Sequence, residues 1–244
     1  MLRSLSDTPL TGAGSLVTLS PEESRHLLSV RRLREGEVVE LLDGRGGRAE
    51  AVLDGLEGKR ARLRVVAFDV RPRPLPSIVV ACACLKGGEF DELVARLTEI
   101  GVAAIMPLVT ERTEVRLDAA RGAQKAARWR EIARESLKQC GNRHEPGIHD
   151  PVDFRSWLAT LPAPSNLPLI ASLEAGSVPV RKACAGGTWE SVTLLIGPEG
   201  DFTPAEYAAA RSAGCLPVTL GANVLRAGTA ALVLAALVAD GTRS

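Results

Sequence analysis

The stretch Ser191-Val-Thr-Leu-Leu-Ile-Gly-Pro-Glu-Gly-Asp-Phe-Thr-Pro204 joins an apolar run of strand length to a glycine-bearing turn. The run at 192–196 is largely apolar and partly β-branched, which favours a strand buried on both faces of a parallel sheet. The two glycines of the turn at 197–200 permit positive φ values or close approach of the backbone to a ligand. Thr203, with Glu206 three residues later, then predicts a helix that begins with a capping box.

A second strand and a second turn follow this predicted helix. Leu216 to Leu220 has the length and composition of a strand, and Gly221 comes directly after it. Turns that follow consecutive parallel strands lie at the same edge of the sheet, where open α/β folds bind ligands. The two turns therefore predict a ligand site close to the end of the chain.

A proline-rich connector at 71–76 divides the rest of the chain. Residues 1–72 contain several short strand candidates separated by turns, which is typical of a small β-barrel. Between 78 and 109 a strand, a helix and a strand follow one another at the spacing of a βαβ unit. We therefore predict two domains, 1–72 and 73–244, the second an α/β domain with a parallel sheet. Its closing helix, at about 229–238, is apolar on every side, so it is buried within the domain or also packs against a second copy.

The composition limits the possible function classes. The 244 residues carry a net charge of +1, so any contact with RNA would need a local basic surface. No apolar run reaches the roughly 18 residues that cross a bilayer, and the N-terminus lacks the apolar core of a signal peptide, so we expect a cytoplasmic protein with no membrane contact. Five cysteines without a paired pattern and three scattered histidines predict a reducing compartment and no metal site.

Two segments could supply the local basic surface. Arg60, Arg62 and Arg64 alternate with apolar residues and so share one face of a strand, a pattern that is more typical of a solvated sheet face. A predicted basic helix at 121–140 runs into the polar turn at 139–144, and this combination favours contact with a phosphate backbone.

Two motifs in this order, Gly197-Pro-Glu-Gly-Asp-Phe and Leu220-Gly-Ala-Asn-Val-Leu-Arg-Ala-Gly-Thr-Ala, resemble those of the RsmE family of SPOUT-class enzymes. Further matches lie at His26-Leu27, Val30–Gly36, Leu85-Lys86-Gly87, Thr98–Val102, Pro107, Glu111-Arg112, Gln139-Cys140-Gly141 and Pro146. The resemblance implies a PUA-like N-terminal β-barrel, a SPOUT-type parallel sheet with a C-terminal trefoil knot, and a homodimer. It also implies methylation of N3 of a uridine in 16S ribosomal RNA of the small ribosomal subunit, with S-adenosylmethionine as the cofactor.

The resemblance also implies roles for individual residues. The cofactor-binding residues would be Leu173, Ile196, Gly197, Pro198, Glu199, Gly200, Leu220, Gly221, Val224, Leu225, Arg226 and Thr229. Because uracil N3 loses its proton reluctantly, the reaction needs a base, a cation or both, and we assign catalysis to Arg226 and Glu199 with Glu111 as an alternative base. The RNA-binding residues would be Arg31, Arg32, Lys86, Arg112 and Arg143.

Four residues depart from the family pattern. Lys138 and Asn142 stand where the family commonly has glutamate and arginine, and Ala227 and Gly228 stand where it commonly has threonine and glutamate. These changes leave two alternatives open, namely a SPOUT methyltransferase with another RNA target, such as a ribose 2′-hydroxyl, and a non-catalytic RNA-binding protein of ribosome assembly. A nicotinamide-dependent oxidoreductase is disfavoured, because the first turn lacks the G-x-G-x-x-G spacing.

Overall fold

A five-stranded sheet forms where the N-terminal sequence alternates short apolar runs with turn residues. The computed structural model describes residues 2–34, 36–115, 118–161 and 165–242, so Glu35 of the N-terminal motif lies outside the described residues. The elements are β1 (Leu2–Leu5), β2 (Leu16–Thr18), α1 (Pro21–Arg25), a π-helix (His26–Val30), β3 (Val38–Leu42), β4 (Gly47–Glu57) and β5 (Arg60–Val70). The strand order is β1-β3-β4-β5-β2, in which only β1 and β3 pair in parallel.

In β5 the arginines and the apolar residues separate onto two faces, which confirms the predicted period of two. The buried residues are Ala61, Leu63 and Val65. On the opposite face the Asp54 carboxylate lies 2.9 Å from Nε of Arg62 and also pairs with Arg64. The positive charge of this face is therefore partly compensated within the sheet, which agrees with a solvated face.

The chain divides into two compact units, and the first of them includes a segment far along the sequence. It comprises the chain up to Arg73 together with Arg134–Glu145, while the second comprises Pro74–Ala133 and the chain from Pro146 onward. The long helix α3 (Ala119–Cys140) therefore begins in one unit and ends in the other. The division into domains 1–72 and 73–244 stays a prediction.

A buried ion pair fixes the end of α3 within the first unit. Nζ of Lys138 lies 2.7 Å from Glu23 Oε1 and 2.6 Å from Glu135 Oε1. Ser4 donates its hydroxyl hydrogen to the second oxygen of Glu23, and the backbone N–H of Leu5 donates to the same oxygen at 3.2 Å. Burial opposes ionisation of Glu23, but the hydrogen bonds from Lys138 and Ser4 outweigh it and lower the pKa of this carboxyl. Lys138 thus has a structural partner inside the first unit.

The second unit contains an eight-stranded sheet in which every pair of neighbours is parallel, as predicted. Its strands are β6 (Ser77–Ala83), β7 (Ala104–Val109), β8 (Gly147–Ile148), β9 (Val152–Asp153), β10 (Asn166–Ala171), β11 (Val178–Pro179), β12 (Ser191–Ile196) and β13 (Leu216–Thr219). Its other helices are α2 (Glu89–Ile100), α4 (Phe154–Leu158), α5 (Val180–Ala183), α6 (Pro204–Ser212) and α7 (Ala227–Thr242). The strand order is β11-β13-β10-β12-β6-β7-β8, with β9 also paired to β7.

The strand β10 lies between the two strands that carry the predicted glycine turns. Ile170 of β10 pairs with Leu195 of β12 on one side and with Pro217 of β13 on the other. Because the three strands are parallel, β12 and β13 end at the same edge of the sheet and at the same level. The structure therefore confirms that the two turns face the same edge.

Helices cover both faces of this sheet. On one face α7 and α2 pack over β6 and β12, while on the other α4 and α6 pack through Phe154 and Tyr207, together with Phe202. Helix α7 is buried along Ala231, Leu234 and Val238, whereas its opposite side, at 232, 233 and 236, is half-buried or exposed. Within the described ranges, no helix combines the length and apolar character that a membrane span requires.

The buried ion pair leads to a prediction for stability. We expect Lys138→Met to lower the free energy of unfolding by about 3–5 kcal/mol at pH 7, because it leaves the Glu23 carboxylate buried and unpaired. The folded-state pKa of Glu23 is lowered, so its contribution is complete above its unfolded pKa near 4.5 and is lost as the pH falls through the folded value. Urea unfolding measures the difference in unfolding free energy between the wild type and Lys138→Met. This difference should be largest at pH 7 and should shrink as the pH falls below 4.5. A deficit at pH 7 no larger than that of Lys59→Met, an exposed control in the same unit, would contradict this role.

Candidate active site

A cavity of about 440 Å³ lies at the carboxyl ends of β10, β12 and β13 in the second unit. Six segments form its wall, namely the start of α2, the ends of the three strands with their following turns, Tyr207 on α6, and the start of α7. Such a volume is typical of pockets that enclose a small organic ligand. The lining residues are Glu89, Ala171, Ser172, Leu173, Ile196, Gly197, Pro198, Glu199, Asp201, Tyr207, Val218, Thr219, Leu220, Gly221, Asn223, Val224, Leu225, Arg226, Ala227 and Ala230.

The structure brings together ten of the twelve residues that the sequence predicted for cofactor binding. They are Leu173, Ile196, Gly197, Pro198, Glu199, Leu220, Gly221, Val224, Leu225 and Arg226. Gly200 and Thr229 do not belong to the lining. Both predicted catalytic residues, Arg226 and Glu199, are therefore in the same wall, and the roles of all twelve stay predictions.

Part of the cavity wall is apolar and open to solvent. Leu173 is 61% exposed and Val224 is 75% exposed, and both line the cavity. When a flat apolar group covers such side chains, apolar surface is removed from water and the complex is stabilised. The wall is therefore suited to a ligand with an aromatic or other apolar part.

The first turn has a fixed shape because its glycine faces a bulky neighbour. A Cβ atom on Gly197 would lie 3.1 Å from both the backbone N and a ring carbon of Phe202, so a side chain there would require a shift of the backbone. The chain then enters α6 through the predicted capping box, in which Thr203 and Glu206 each bond to the other's backbone N–H. The turn is thus held between the end of β12 and a capped helix.

The loop that follows β7 supports the same turn from outside. Arg112 donates from Nη1 to the carbonyl oxygen of Gly200 at 2.7 Å, and Glu206 accepts a hydrogen bond from the backbone N–H of Glu111 at 2.8 Å. Oγ1 of Thr203 is also 3.3 Å from the Glu111 carboxylate. These contacts give Arg112 and Glu111 a defined position beside the turn, although the sequence had suggested RNA binding for the first and a possible base for the second.

Negatively charged side chains outnumber positively charged ones in the described cavity wall. Three carboxylates, those of Glu89, Glu199 and Asp201, line it together with one guanidinium, that of Arg226. In the described part of the chain, no carboxylate lies within ion-pairing distance of Arg226, so its charge is available to an anionic group. Sequence reasoning missed Glu89, which follows the Leu85-Lys86-Gly87 motif, and Asp201, which lies directly after the first glycine turn.

Two family models match successive parts of the chain. The family model of the RNA methyltransferase domain matches residues 71–239, and that of the RNA methyltransferase PUA domain matches residues 19–66. Ribosomal RNA small subunit methyltransferase E from Synechocystis sp. is 32% identical over 89% of this chain and 70% of its own length. The protein of the same name from Mycobacterium bovis is 30% identical over 92% of this chain and 86% of its own.

The chain belongs to the RsmE family of RNA methyltransferases. A crystal structure of ribosomal RNA small subunit methyltransferase E from Neisseria gonorrhoeae, bound to S-adenosyl methionine, is 30% identical. It matches with a TM-score of 0.86 over 98% of this chain and 96% of that chain. The α/β fold with an N-terminal PUA domain is thereby confirmed.

Two of the departures from the RsmE pattern lie at the start of α7. Ala227 lines the cavity, and a Cβ atom on Gly228 would lie 3.7 Å from the Leu85 side chain, which is an ordinary contact. A side chain at 228 is therefore not excluded by crowding. The other two departures, Lys138 and Asn142, belong to the first unit, where Asn142 accepts a hydrogen bond from the backbone N–H of His144.

The residues predicted to bind RNA differ in how strongly they are already engaged. In the first unit Arg31 and Arg32 are exposed, whereas the Arg143 side chain is only 12% exposed and lies 2.6 Å from the Asp69 carboxylate. In the second unit Lys86 pairs with Glu114 at 2.6 Å. The hydrogen bond to Glu114 raises the pKa of Lys86, with smaller contributions from Glu199 and Glu89.

The described lining of the cavity contains no cysteine or histidine. Among the described residues, no group of three or more histidine, cysteine or acidic side chains is arranged to hold a metal. Burial raises the pKa of Cys84 to about 12 and raises that of Cys82 as well, so both thiols at the end of β6 stay protonated.

The bond from Arg112 to Gly200 leads to a prediction for the turn. Arg112→Ala removes a hydrogen bond of about 1 kcal/mol, which corresponds to about a fivefold faster amide exchange in the turn. We expect faster exchange at 199–202, measured by hydrogen–deuterium exchange. Arg155→Ala, which changes an exposed arginine on α4, is the control and should leave these amides unchanged. Equal exchange in the two variants would show that Arg112 does not support the turn.

Proposed function

We propose that this chain transfers a methyl group from S-adenosylmethionine to N3 of a uridine in the 16S ribosomal RNA of the small ribosomal subunit. The observation that carries the proposal is the cavity between the two glycine turns, in a chain of the RsmE family. The Neisseria gonorrhoeae relative is bound to S-adenosyl methionine, which supports the same cofactor here.

The cavity fits the chemical groups of this cofactor. The exposed apolar side chains of Leu173 and Val224 offer a surface for an adenine ring, and the backbone groups at 196–200 and 220–225 offer hydrogen bonds for the nucleoside and the amino-acid part. The excess of carboxylates complements a ligand that carries a sulfonium and an ammonium group. When bound, S-adenosylmethionine supplies an electrophilic methyl group. The protein's part is to hold the nucleophile in line with that methyl and to exclude water.

Arg226 and Glu199 are the residues that we assign to the uridine. The N3 nitrogen of uracil becomes nucleophilic only as its proton leaves, so negative charge develops on the ring. The Arg226 guanidinium has no ion-pair partner in the described part of the chain and can stabilise that charge. Glu199, in the same wall, is the candidate acceptor of the N3 proton.

Contacts with RNA would come from basic residues of both units. In the first unit we assign this role to Arg31 and Arg32, which are exposed in the segment after α1, and to Arg143. In the second unit we assign it to Lys86 and Arg112. Phosphate contacts of this type position an RNA without reading its sequence, so the target uridine would be selected at the cavity.

We further propose that the protein is a cytoplasmic homodimer and that its C-terminal segment forms a trefoil knot. The half-buried apolar side of α7, at 232, 233 and 236, supports the dimer because such a surface is stabilised by a second apolar surface. The knot rests on family membership alone.

The direct test is methylation of undermethylated small subunits with isotope-labelled S-adenosylmethionine, followed by nucleoside analysis. We expect the label in 3-methyluridine for the wild type. Arg226→Ala should lower the rate at least about 100-fold, because the developing anion loses its cation, while cofactor affinity stays within about threefold. Arg155→Ala serves as the control for a lost exposed arginine in the same unit.

Each other outcome of this test points to a different account. Label in 2′-O-methyl nucleosides would contradict the assigned target and favour the ribose-directed alternative. Cofactor binding without transfer to any RNA would favour a non-catalytic RNA-binding protein. Wild-type turnover in Arg226→Ala would remove the role of that residue.

A further inference from the structure

One carboxylate in the cavity wall, that of Asp201, has no part in the reaction as proposed. Asp201 follows the first turn with a φ of 61°, in the left-handed region, where aspartate and asparagine are tolerated better than most side chains. Its Oδ1 accepts a hydrogen bond from the backbone N–H of Phe202 at 2.8 Å and another from the Tyr207 hydroxyl at 2.8 Å. Two donors thus fix one oxygen of this carboxylate.

Tyr207 is held in place by the neighbouring strand. Its side chain is buried at 4% exposure, and its hydroxyl lies 3.3 Å from the carbonyl oxygen of Ala171 at the end of β10. Burial, followed by the bond to Asp201, raises the pKa of Tyr207, so its hydroxyl keeps the proton that it donates. The strand β10, the helix α6 and the turn therefore jointly orient one carboxylate.

The second oxygen of Asp201 takes no part in these hydrogen bonds. Oδ2 receives no hydrogen bond from any residue in the described part of the chain, and Asp201 lines the cavity. A carboxylate whose orientation is set by buried groups loses little conformational freedom when it pairs with a cation.

We propose that Asp201, oriented by Tyr207, is a specificity-determining residue that pairs with a positive charge of the cofactor. It thereby favours S-adenosylmethionine over uncharged adenine nucleosides that would fill the same apolar wall. Tyr207 acts as a positioning residue, because it touches the carboxylate and fixes its direction. This inference rests on the proposed function, since the cofactor is the ligand that carries the charge.

The test compares three ligands by isothermal titration calorimetry. S-adenosylmethionine carries a sulfonium and an ammonium group, S-adenosylhomocysteine keeps only the ammonium, and 5′-methylthioadenosine has neither. We expect Asp201→Asn to weaken the binding of S-adenosylmethionine about tenfold and the binding of 5′-methylthioadenosine less than about twofold. Asparagine tolerates the left-handed backbone, so the variant should fold, which thermal melting checks. If the affinity for S-adenosylhomocysteine falls by the same factor, the ammonium is the partner of Asp201. If the affinity for S-adenosylhomocysteine is unchanged, the sulfonium is the partner.

Two further variants make the test specific. Tyr207→Phe keeps the carboxylate but removes its donor, so we expect the same ligand order with a smaller loss of about threefold for S-adenosylmethionine. Glu190→Gln removes an exposed charge just before β12, about 20 Å from the end of that strand, and should change none of the affinities. If Asp201→Asn lowers the affinity for all three ligands equally, or for none of them, this inference is overturned and the proposed function still stands. A wild-type protein that binds none of the three overturns both.

Discussion

The parallel pairing of β10 with β12 on one side and with β13 on the other is the constraint on which the site depends. The two outer strands lie two strand spacings apart, about 10 Å, and end level with each other. The glycine turns that follow them therefore face one another across the end of β10. A cavity forms there because the three strands end at this edge and the chain segments that follow β12 and β13 turn away from the end of β10.

The surrounding structure keeps these turns in position. The capping box of α6 fixes the exit from the first turn, and the loop after β7 reaches it through Arg112 and Glu111. The buried end of α7 closes the cavity from the side of the second turn. The same framework determines the chemistry of the wall, because it places apolar side chains, three carboxylates and an arginine that pairs with no described carboxylate around one volume.

Local sequence signals predicted much of this framework. Helix α2 lies within the βαβ unit predicted between 78 and 109, because its apolar side chains recur at helical spacing and Gly101 ends it in the left-handed conformation. The N-terminus of α6 was predicted from Thr203 and Glu206, whose side chains reach only three residues along the chain. Such contacts are encoded by neighbouring residues and can be read directly.

The features that were not predicted depend on contacts between distant parts of the chain. Neither the insertion of β10 between β12 and β13 nor the bond of Lys138 to Glu23, across 115 residues, leaves a local pattern. Asp201 and Tyr207 are close in sequence, yet their bond depends on the left-handed backbone at 201 and on the nearby end of β10. The departures at Ala227 and Gly228 were visible in the sequence, but Glu89, another carboxylate in the wall, was recognised only from the fold.

We propose that the two turns together form the cofactor site. A crystal structure of this chain with S-adenosylmethionine tests it most directly. We predict electron density for the adenosyl group between the turns at 197–200 and 220–225, with Leu173 and Val224 covered by the ligand. Density at any other place on the molecule, with these two side chains still exposed to solvent, would contradict the account.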